Sequence, residues 1–158
     1  MKDNFEFALE FAISKHRGQV DKGWTPYIQH ILGVWSRLRD ADLTTQIAAL
    51  LHDVVEDTAT TITEIDDKFG AKVASIVAVL THMKSEPYDS YIIRIAMSEN
   101  RSAILIKLAD LADNSSPERL KRLPKDAQAY FQNRIETKYK KAQQTLNAAL
   151  ADIVIKEL

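Results

Sequence analysis

The chain of 158 residues contains no cysteine, which excludes a disulfide framework, cysteine-ligated zinc and a cysteine nucleophile together. That absence fits a reducing compartment. Four glycines and four prolines are too few for a collagen-like or linker-dominated chain. Neither sign of charge dominates: 21 basic against 22 acidic residues leave −1, so no field points to DNA, RNA or an anionic membrane as a partner. No apolar run approaches the ~20 residues of a membrane span. The amino-terminal MKDNFEFALE has acids at positions 3, 6 and 10 and no apolar stretch of a signal sequence. The whole chain is 46% hydrophobic and 27% charged, the balance of a globular protein. At this length a chain buries roughly 70% of its unfolded surface and needs no staple. The expectation is one soluble, cytoplasmic domain over residues 1–158, with a homo-oligomer compatible with it.

Helical spacing runs through almost the whole sequence. Phe5, Ala8, Leu9, Ala12 and Ile13 form one amphipathic stripe, and Phe7 with Phe11 adds a second apolar strip, so this helix is expected to wedge between others. Gly18 ends it, and a polar loop runs on through Gly23. Thr25-Pro26 reads as an N-cap with proline at the first helical position, opening a helix to about Arg39. Thr44 or Thr45 caps a third helix, TQIAALLHDVVEDT, apolar nearly all round as a central bundle helix is. Thr61 with Glu64 resembles a capping box, with Gly70 just past the end of that short helix. KVASIVAVLTHM, the stretch after Pro87 to about Ser98, and RSAILIKLADLADN read as further helices. Pro117 and Pro124 punctuate the next stretch, and residues 125–158 are helical with room for one break. No stretch alternates long enough for a strand. The fold class is all-α, a helical bundle.

Chemistry collects in the central helix. His52 and Asp53 are adjacent, with Glu56 and Asp57 four residues after each, so one imidazole and three carboxylates share a face. Acids at a helix carboxyl end oppose its dipole, and burying them unpaired costs several kcal/mol as an order of magnitude. Such a cluster either ends the helix in solvent as a frayed carboxyl terminus or asks for a cation, and the misplaced acids favour the cation. One helical turn cannot surround an ion, so further ligands come from elsewhere: His30 in PYIQH, and Asp110 in IKLADLADN, which reads either as a ligand or as the partner of Lys107. Mixed imidazole and carboxylate donors suit a divalent first-row ion, Mn, Fe, Co, Ni or Zn. Such an ion acidifies water and polarises a phosphoryl oxygen.

KHRGQVDKGWTPYIQH, AALLHDVVEDT, FGAKVASIV and IKLADLADN, in that order over roughly positions 5–140, resemble the HD-domain hydrolases. Within them the chain is similar to the RelA/SpoT-type (p)ppGpp 3′-pyrophosphohydrolases and their small stand-alone relatives. The resemblance implies an HD-domain helical bundle and metal ligation by His30, His52, Asp53 and Asp110, with Mn²⁺ as the usual ion and another divalent metal as the alternative. It implies that Glu56 and Asp57 position and activate the attacking water, that Asn114 contacts substrate, and that Lys22 is the loop cation. The substrate it implies is a small-molecule nucleotide, (p)ppGpp first. Two motifs depart from the family pattern: a basic pair reads Asp21-Lys22 here, and ADRLHN reads ADLADN, with Leu111 and Asp113 in place of arginine and histidine. Both departures are expected to fall around the nucleotide rather than the metal.

Arg17, Lys22 and Lys84 are further candidates to neutralise a polyphosphate, with Lys107. Trp24 is placed to stack on a base, whereas Trp35 reads as core. Arg134, Lys138 and Tyr139 read either as closing over a nucleotide or, the preferred reading, as part of an ordinary amphipathic helix with exposed cations, and His16 as a support for the loop. Two rival readings accompany the leading one: an HD-type nucleotidase acting on another nucleotide, and a non-catalytic alarmone-binding sensor.

Overall fold

Three helices, α1 (Asn4–Lys15), α2 (Ile28–Ser36) and α3 (Leu43–Leu51), open the computed structural model, which describes residues 4–158. Met1, Lys2 and Asp3, part of the acidic amino-terminal stretch unlike a signal sequence, lie outside the described residues. Next come α4 (Val54–Asp57), α5 (Ile62–Phe69), α6 (Ala71–Leu80), α7 (Tyr88–Met97), α8 (Arg101–Asn114), α9 (Pro117–Arg122) and α10 (Lys125–Arg134). A π-helical turn over Ile135–Tyr139 joins α10 to α11 (Lys140–Lys156). Among the described residues there is no strand, only one isolated bridge between Val20 and Pro26. The all-α class agrees with the periodicity.

The centre is α3. Ile47, Ala48, Ala49, Leu50 and Leu51 are all buried, and the helix packs against α1, α2, α6 and α8. Alanines at Ala8 and Ala12 of α1, both fully buried, let α1 approach α3 closely. The second apolar strip of α1 has its own purpose: Phe7 and Phe11 lie 5.2 and 5.4 Å from the Phe69 ring at the end of α5. Trp35 is core-facing, 5.4 Å from Phe5 with its indole N–H on Gln46.

Three helix starts differ from the sequence reading. Thr25-Pro26 caps nothing; it belongs to a clasped loop, and α2 begins at Ile28 after Tyr27. Asp42, not Thr44 or Thr45, caps α3 by accepting the Thr45 N–H at 3.0 Å. Thr61 does cap α5, accepting from the Glu64 N–H, but the Glu64 carboxylate pairs with Lys15 at 3.2 Å instead of closing the box. The largest difference is that TQIAALLHDVVEDT is not one helix. It breaks at His52 and Asp53, where Asp53 takes φ −104° and ψ −5°, and resumes as the single turn α4. In an unbroken helix adjacent side chains point about 100° apart. The break lets both neighbours face one point.

Candidate metal centre and adjoining cavities

His30 comes from α2, His52 and Asp53 from the step between α3 and α4, and Asp110 from α8. The ligand atoms of His30, His52 and Asp53 lie within 4.8 Å of one another. His30 Nε2 is 3.6 Å from Asp53 Oδ2 and 3.2 Å from Asp110 Oδ1. All four residues are buried or nearly so.

Each imidazole presents Nε2 to this centre because its Nδ1 is engaged behind it. His52 Nδ1 donates to the Ala49 carbonyl at 2.8 Å, and His30 Nδ1 donates to Asp113 Oδ2 at 2.7 Å. His52 Nε2 is buried without a hydrogen-bond partner, lying 3.1 Å from Asp53 Oδ2 without hydrogen-bond geometry. A buried nitrogen with no partner is costly. A nitrogen aimed inward beside two carboxylates, where either a proton or a metal ion meets the same need for positive charge, is what a cation site requires, and the donor set fits a divalent first-row ion.

The carboxylates are organised for the same charge. Asp53 Oδ2 accepts from the Tyr27 hydroxyl at 2.6 Å. Burial opposes ionisation of Asp53, but His52 and His30 beside it hold its carboxyl well below the usual range. Asp110 is at once a neighbour of His30 and the partner of Lys107: Oδ2 accepts from Lys107 Nζ and Oδ1 from Asn114 Nδ2, both at 2.7 Å. Lys107 is buried over the Tyr91 ring, and the Asp110 charge keeps it protonated against that burial. Burial of His30 opposes the imidazolium, yet the carboxylates of Asp110 and Asp113 lift its pKa to about 9.

Glu56 and Asp57 stand at the rim. Partial burial raises the Glu56 carboxyl, partly offset by a hydrogen bond from the His82 main-chain N–H at 3.0 Å, with Asp53 and Asp57 adding to the rise. Burial and Asp53 raise Asp57 likewise. His82, unassigned in the sequence, holds this N–H in position by donating from Nε2 to the Glu86 carbonyl and stacking on Tyr91.

Two cavities meet here. A polar one of about 390 Å³ holds the cluster, Glu56, Asp57 and Lys107, and is walled by Tyr88, Arg134 and Lys138. An apolar one of about 680 Å³ is lined by Val20, Trp24, Leu120, Leu123 and Phe131, with Lys22 and Arg119. Tyr27, Asp57, Asn114 and Tyr139 line both. Asn114 thus stands at the junction, and Lys22 reaches the apolar cavity with Nζ 4.8 Å from the Phe131 ring centre.

Some sequence expectations fail. Arg17 and Lys84 are exposed and line neither cavity; Arg17 lies just past the end of α1 beside Gly18, and Lys84 projects from the loop whose inward member is His82. Arg134, Lys138 and Tyr139, expected on an ordinary helix face, wall the polar cavity instead. The i, i+4 spacing of Arg134 and Lys138 is visible in the sequence, but not the π turn between α10 and α11 on which Lys138 sits. Tyr27 escapes sequence reasoning although it precedes His30 by one turn. Asp113, expected around the nucleotide, sits behind His30, whereas Leu111, 1% exposed, lines the core edge of the polar cavity. Asp21 adds no free anion to the recognition loop. Its Oδ1 accepts from the Gly23 and Thr25 N–H groups, its N–H donates to Thr25 O, and Oδ2 lies 3.7 Å from Arg119. This clasp holds Trp24 at φ +61°, a conformation rare outside glycine, with the indole 80% exposed at the apolar cavity. His16 does support the loop, with Nδ1 2.7 Å from Gln19 Oε1.

The family model described as "HD domain" matches residues 8–151, nearly the whole sequence. The chain belongs to the HD-domain family. Curated relatives include a guanosine-3′,5′-bis(diphosphate) 3′-pyrophosphohydrolase of Aquifex aeolicus, 42% identical over 71% of this chain and 17% of that protein. Two proteins of that same description called MESH1, from Danio rerio and Homo sapiens, are 42% and 40% identical over 65% of this chain. The matches span 62% and 63% of those two proteins, so this HD-domain chain corresponds to less than two thirds of each of these three relatives. Among solved structures, a metazoan ortholog of SpoT that hydrolyses ppGpp superposes with TM-score 0.67 at 29% identity, covering 99% of this chain and 97% of that one. The lmo0812 protein of Listeria monocytogenes EGD-e shares the fold, with TM-score 0.53 at 24% identity over 80% of this chain and 96% of that one. No helix among the described residues is long and apolar enough to cross a membrane.

Proposed function

We infer that this HD domain is a metal-dependent phosphohydrolase that removes the 3′-diphosphate from guanosine 3′,5′-bis(diphosphate) or its 5′-triphosphate analogue. It acts as one unit, in the cytoplasm, on a small molecule rather than on nucleic acid or a membrane. The observation that carries this reading is the junction of the two cavities. An aromatic apolar chamber suited to a nucleoside opens through Tyr27, Asp57, Asn114 and Tyr139 into a polar chamber with a cation centre and basic walls. The relatives from Aquifex aeolicus, Danio rerio and Homo sapiens, with their 3′-pyrophosphohydrolase descriptions, support the same substrate.

His30, His52, Asp53 and Asp110 would hold the ion, Mn²⁺ first among the candidates. When bound, it supplies Lewis acidity toward a phosphoryl oxygen and acidifies water. The remaining work belongs to side chains. Glu56, whose carboxyl is raised above its ordinary range by partial burial and whose orientation is held by the His82 N–H, takes the proton of the attacking water. Asp57 orients that water from the shared wall. As water oxygen bonds to phosphorus, the bond from phosphorus to the ribose 3′ oxygen breaks. That oxygen takes up the proton that Glu56 accepted from the water, and diphosphate departs, leaving GDP or GTP. Arg134 and Lys138 face the negative charge that grows on the phosphoryl oxygens. Asn114 contacts substrate at the junction, Lys22 offers a cation at the mouth, and Trp24 and Phe131 supply faces for the base.

The test is turnover of ppGpp by metal-free protein given Mn²⁺, beside a panel of nucleoside monophosphates and 3′-phosphorylated nucleotides. Release of diphosphate from ppGpp above the rest of the panel supports the reading. Preferential cleavage of a simpler nucleotide replaces the substrate, and tight ppGpp binding with no product over hours replaces catalysis with sensing.

A further inference from the structure

The two imidazoles of the centre are anchored differently. His52 leans on a backbone carbonyl, which the fold provides without adding a charge. His30 leans on Asp113, one turn beyond Asp110 on α8, and several other features hold that carboxylate. Oδ1 accepts from Arg37 at 2.8 Å, and Oδ2 accepts from Arg119 at 3.1 Å as well as from His30. Arg37 also donates to the Gly33 carbonyl, fixing its fork at the end of α2. Gly33 is the residue of α2 that faces Asp113, and a Cβ there would collide with Oδ1. A glycine inside a helix costs roughly 1 kcal/mol against alanine. This one makes room for a side chain, not for a turn.

We propose that Asp113 is the positioning residue of the metal centre: it fixes the His30 ring so that Nε2 faces the ion, and Gly33, Arg37 and Arg119 form the socket that holds it. A carboxylate on the far nitrogen of a ligating histidine sets the tautomer and increases the basicity of the ligating nitrogen, and removing such a partner weakens metal binding about 10–100-fold. The two arginines neutralise the carboxylate, so the group reads as an ion-paired acceptor rather than a free anion competing for the cation. The proposal rests on His30 being a ligand, the reading given under Proposed function.

The experiment is calorimetric titration of Mn²⁺ into metal-free protein without nucleotide, with circular dichroism to verify the fold. D113A should bind Mn²⁺ about 10–100-fold more weakly than wild type. D113N, which keeps an acceptor oxygen for the His30 Nδ1–H, should recover binding to within about tenfold of wild type. G33A gains helix propensity yet pushes the carboxylate off His30, so it should weaken Mn²⁺ in the direction of D113A, and it carries the test should D113A not fold. Wild-type affinity in both D113A and G33A overturns the proposal while leaving the metal centre intact. Wild-type protein that takes up no Mn²⁺, with H52A as the matched control, overturns the centre itself and this role with it.

Discussion

The polar cavity and the apolar cavity share four residues and little else. In the polar one nearly every functional atom is pinned: Asp53 by Tyr27, Asp110 by Lys107 and Asn114, Glu56 by the His82 N–H, His30 by Asp113. In the apolar one the aromatic faces stand open, with Trp24 80% exposed on a clasped loop and Phe131 beneath the Lys22 ammonium. On the function proposed above, the difference separates reaction from recognition. Chemistry needs side chains that do not reorganise as charge develops, whereas recognition of a flat apolar base needs surface.

The sharpest way to break this contrast is to remove a ligand. H52A, D53A or D110A should abolish bound metal by elemental analysis and lower turnover by more than the ~100-fold expected of a supporting residue. Turnover at the wild-type rate in metal-depleted H52A would collapse the distinction. Next comes E56A, which should retain metal and lose about 10²–10⁴-fold in kcat with little change in KM. Full activity of E56A across pH would remove Glu56 from proton transfer.

A third prediction concerns pH. In the metal-free protein the His30 pKa rises from the ordinary 6.5 to about 9. Its protonated form therefore stabilises the fold fully below about pH 6.5, and that contribution, on the order of 3 kcal/mol, disappears as pH rises through 9. Urea unfolding of metal-free protein at pH 6 and pH 10 measures it; H30Q should flatten the difference. Mn²⁺ uptake should release a proton over the same window, visible as a dependence of binding heat on buffer ionisation.

Smaller effects belong to the apolar side. W24A or F131A should raise KM by about tenfold and leave kcat within about twofold, because stacking on one base contributes roughly 1–3 kcal/mol. A kcat loss exceeding the KM effect would move these aromatics into the reaction. Smallest of all, R17A and K84A should change both constants by less than about twofold, since neither side chain lines a cavity.

The same division governs what the sequence reveals. Helical periodicity is a local property, so the all-α class and most helices are legible, and so is the cluster of ligand types at positions 30, 52, 53 and 110. What local spacing cannot express is tertiary. The spacing of His52, Asp53, Glu56 and Asp57 suggests stacking along one helix, whereas their convergence depends on a break that nothing in HDVVED announces. Asp113 looks like a departure near the nucleotide because its partners, His30, Arg37 and Gly33, are about 80 positions away. Thr25-Pro26 carries a sound capping signal, overruled by Asp21 gathering the same backbone into a clasp. Arg134 and Lys138 resemble solvent-facing cations because an amphipathic pattern does not tell a face that meets water from one that closes a cavity.

The π-helical turn at Ile135–Tyr139 has a further consequence. It is one surplus residue threaded into an otherwise continuous rod, and each such residue changes the angular phase of everything upstream relative to everything downstream by about 100°. α11 stays locked on α7 and α8 while α10 is indexed independently toward the cavity mouth. Excising a single residue here would turn Arg134 and the rest of α10 about the axis relative to α11, and because Ile135 and Tyr139 of the turn are themselves buried in the core, the aim of the basic wall and the packing beneath it are set together.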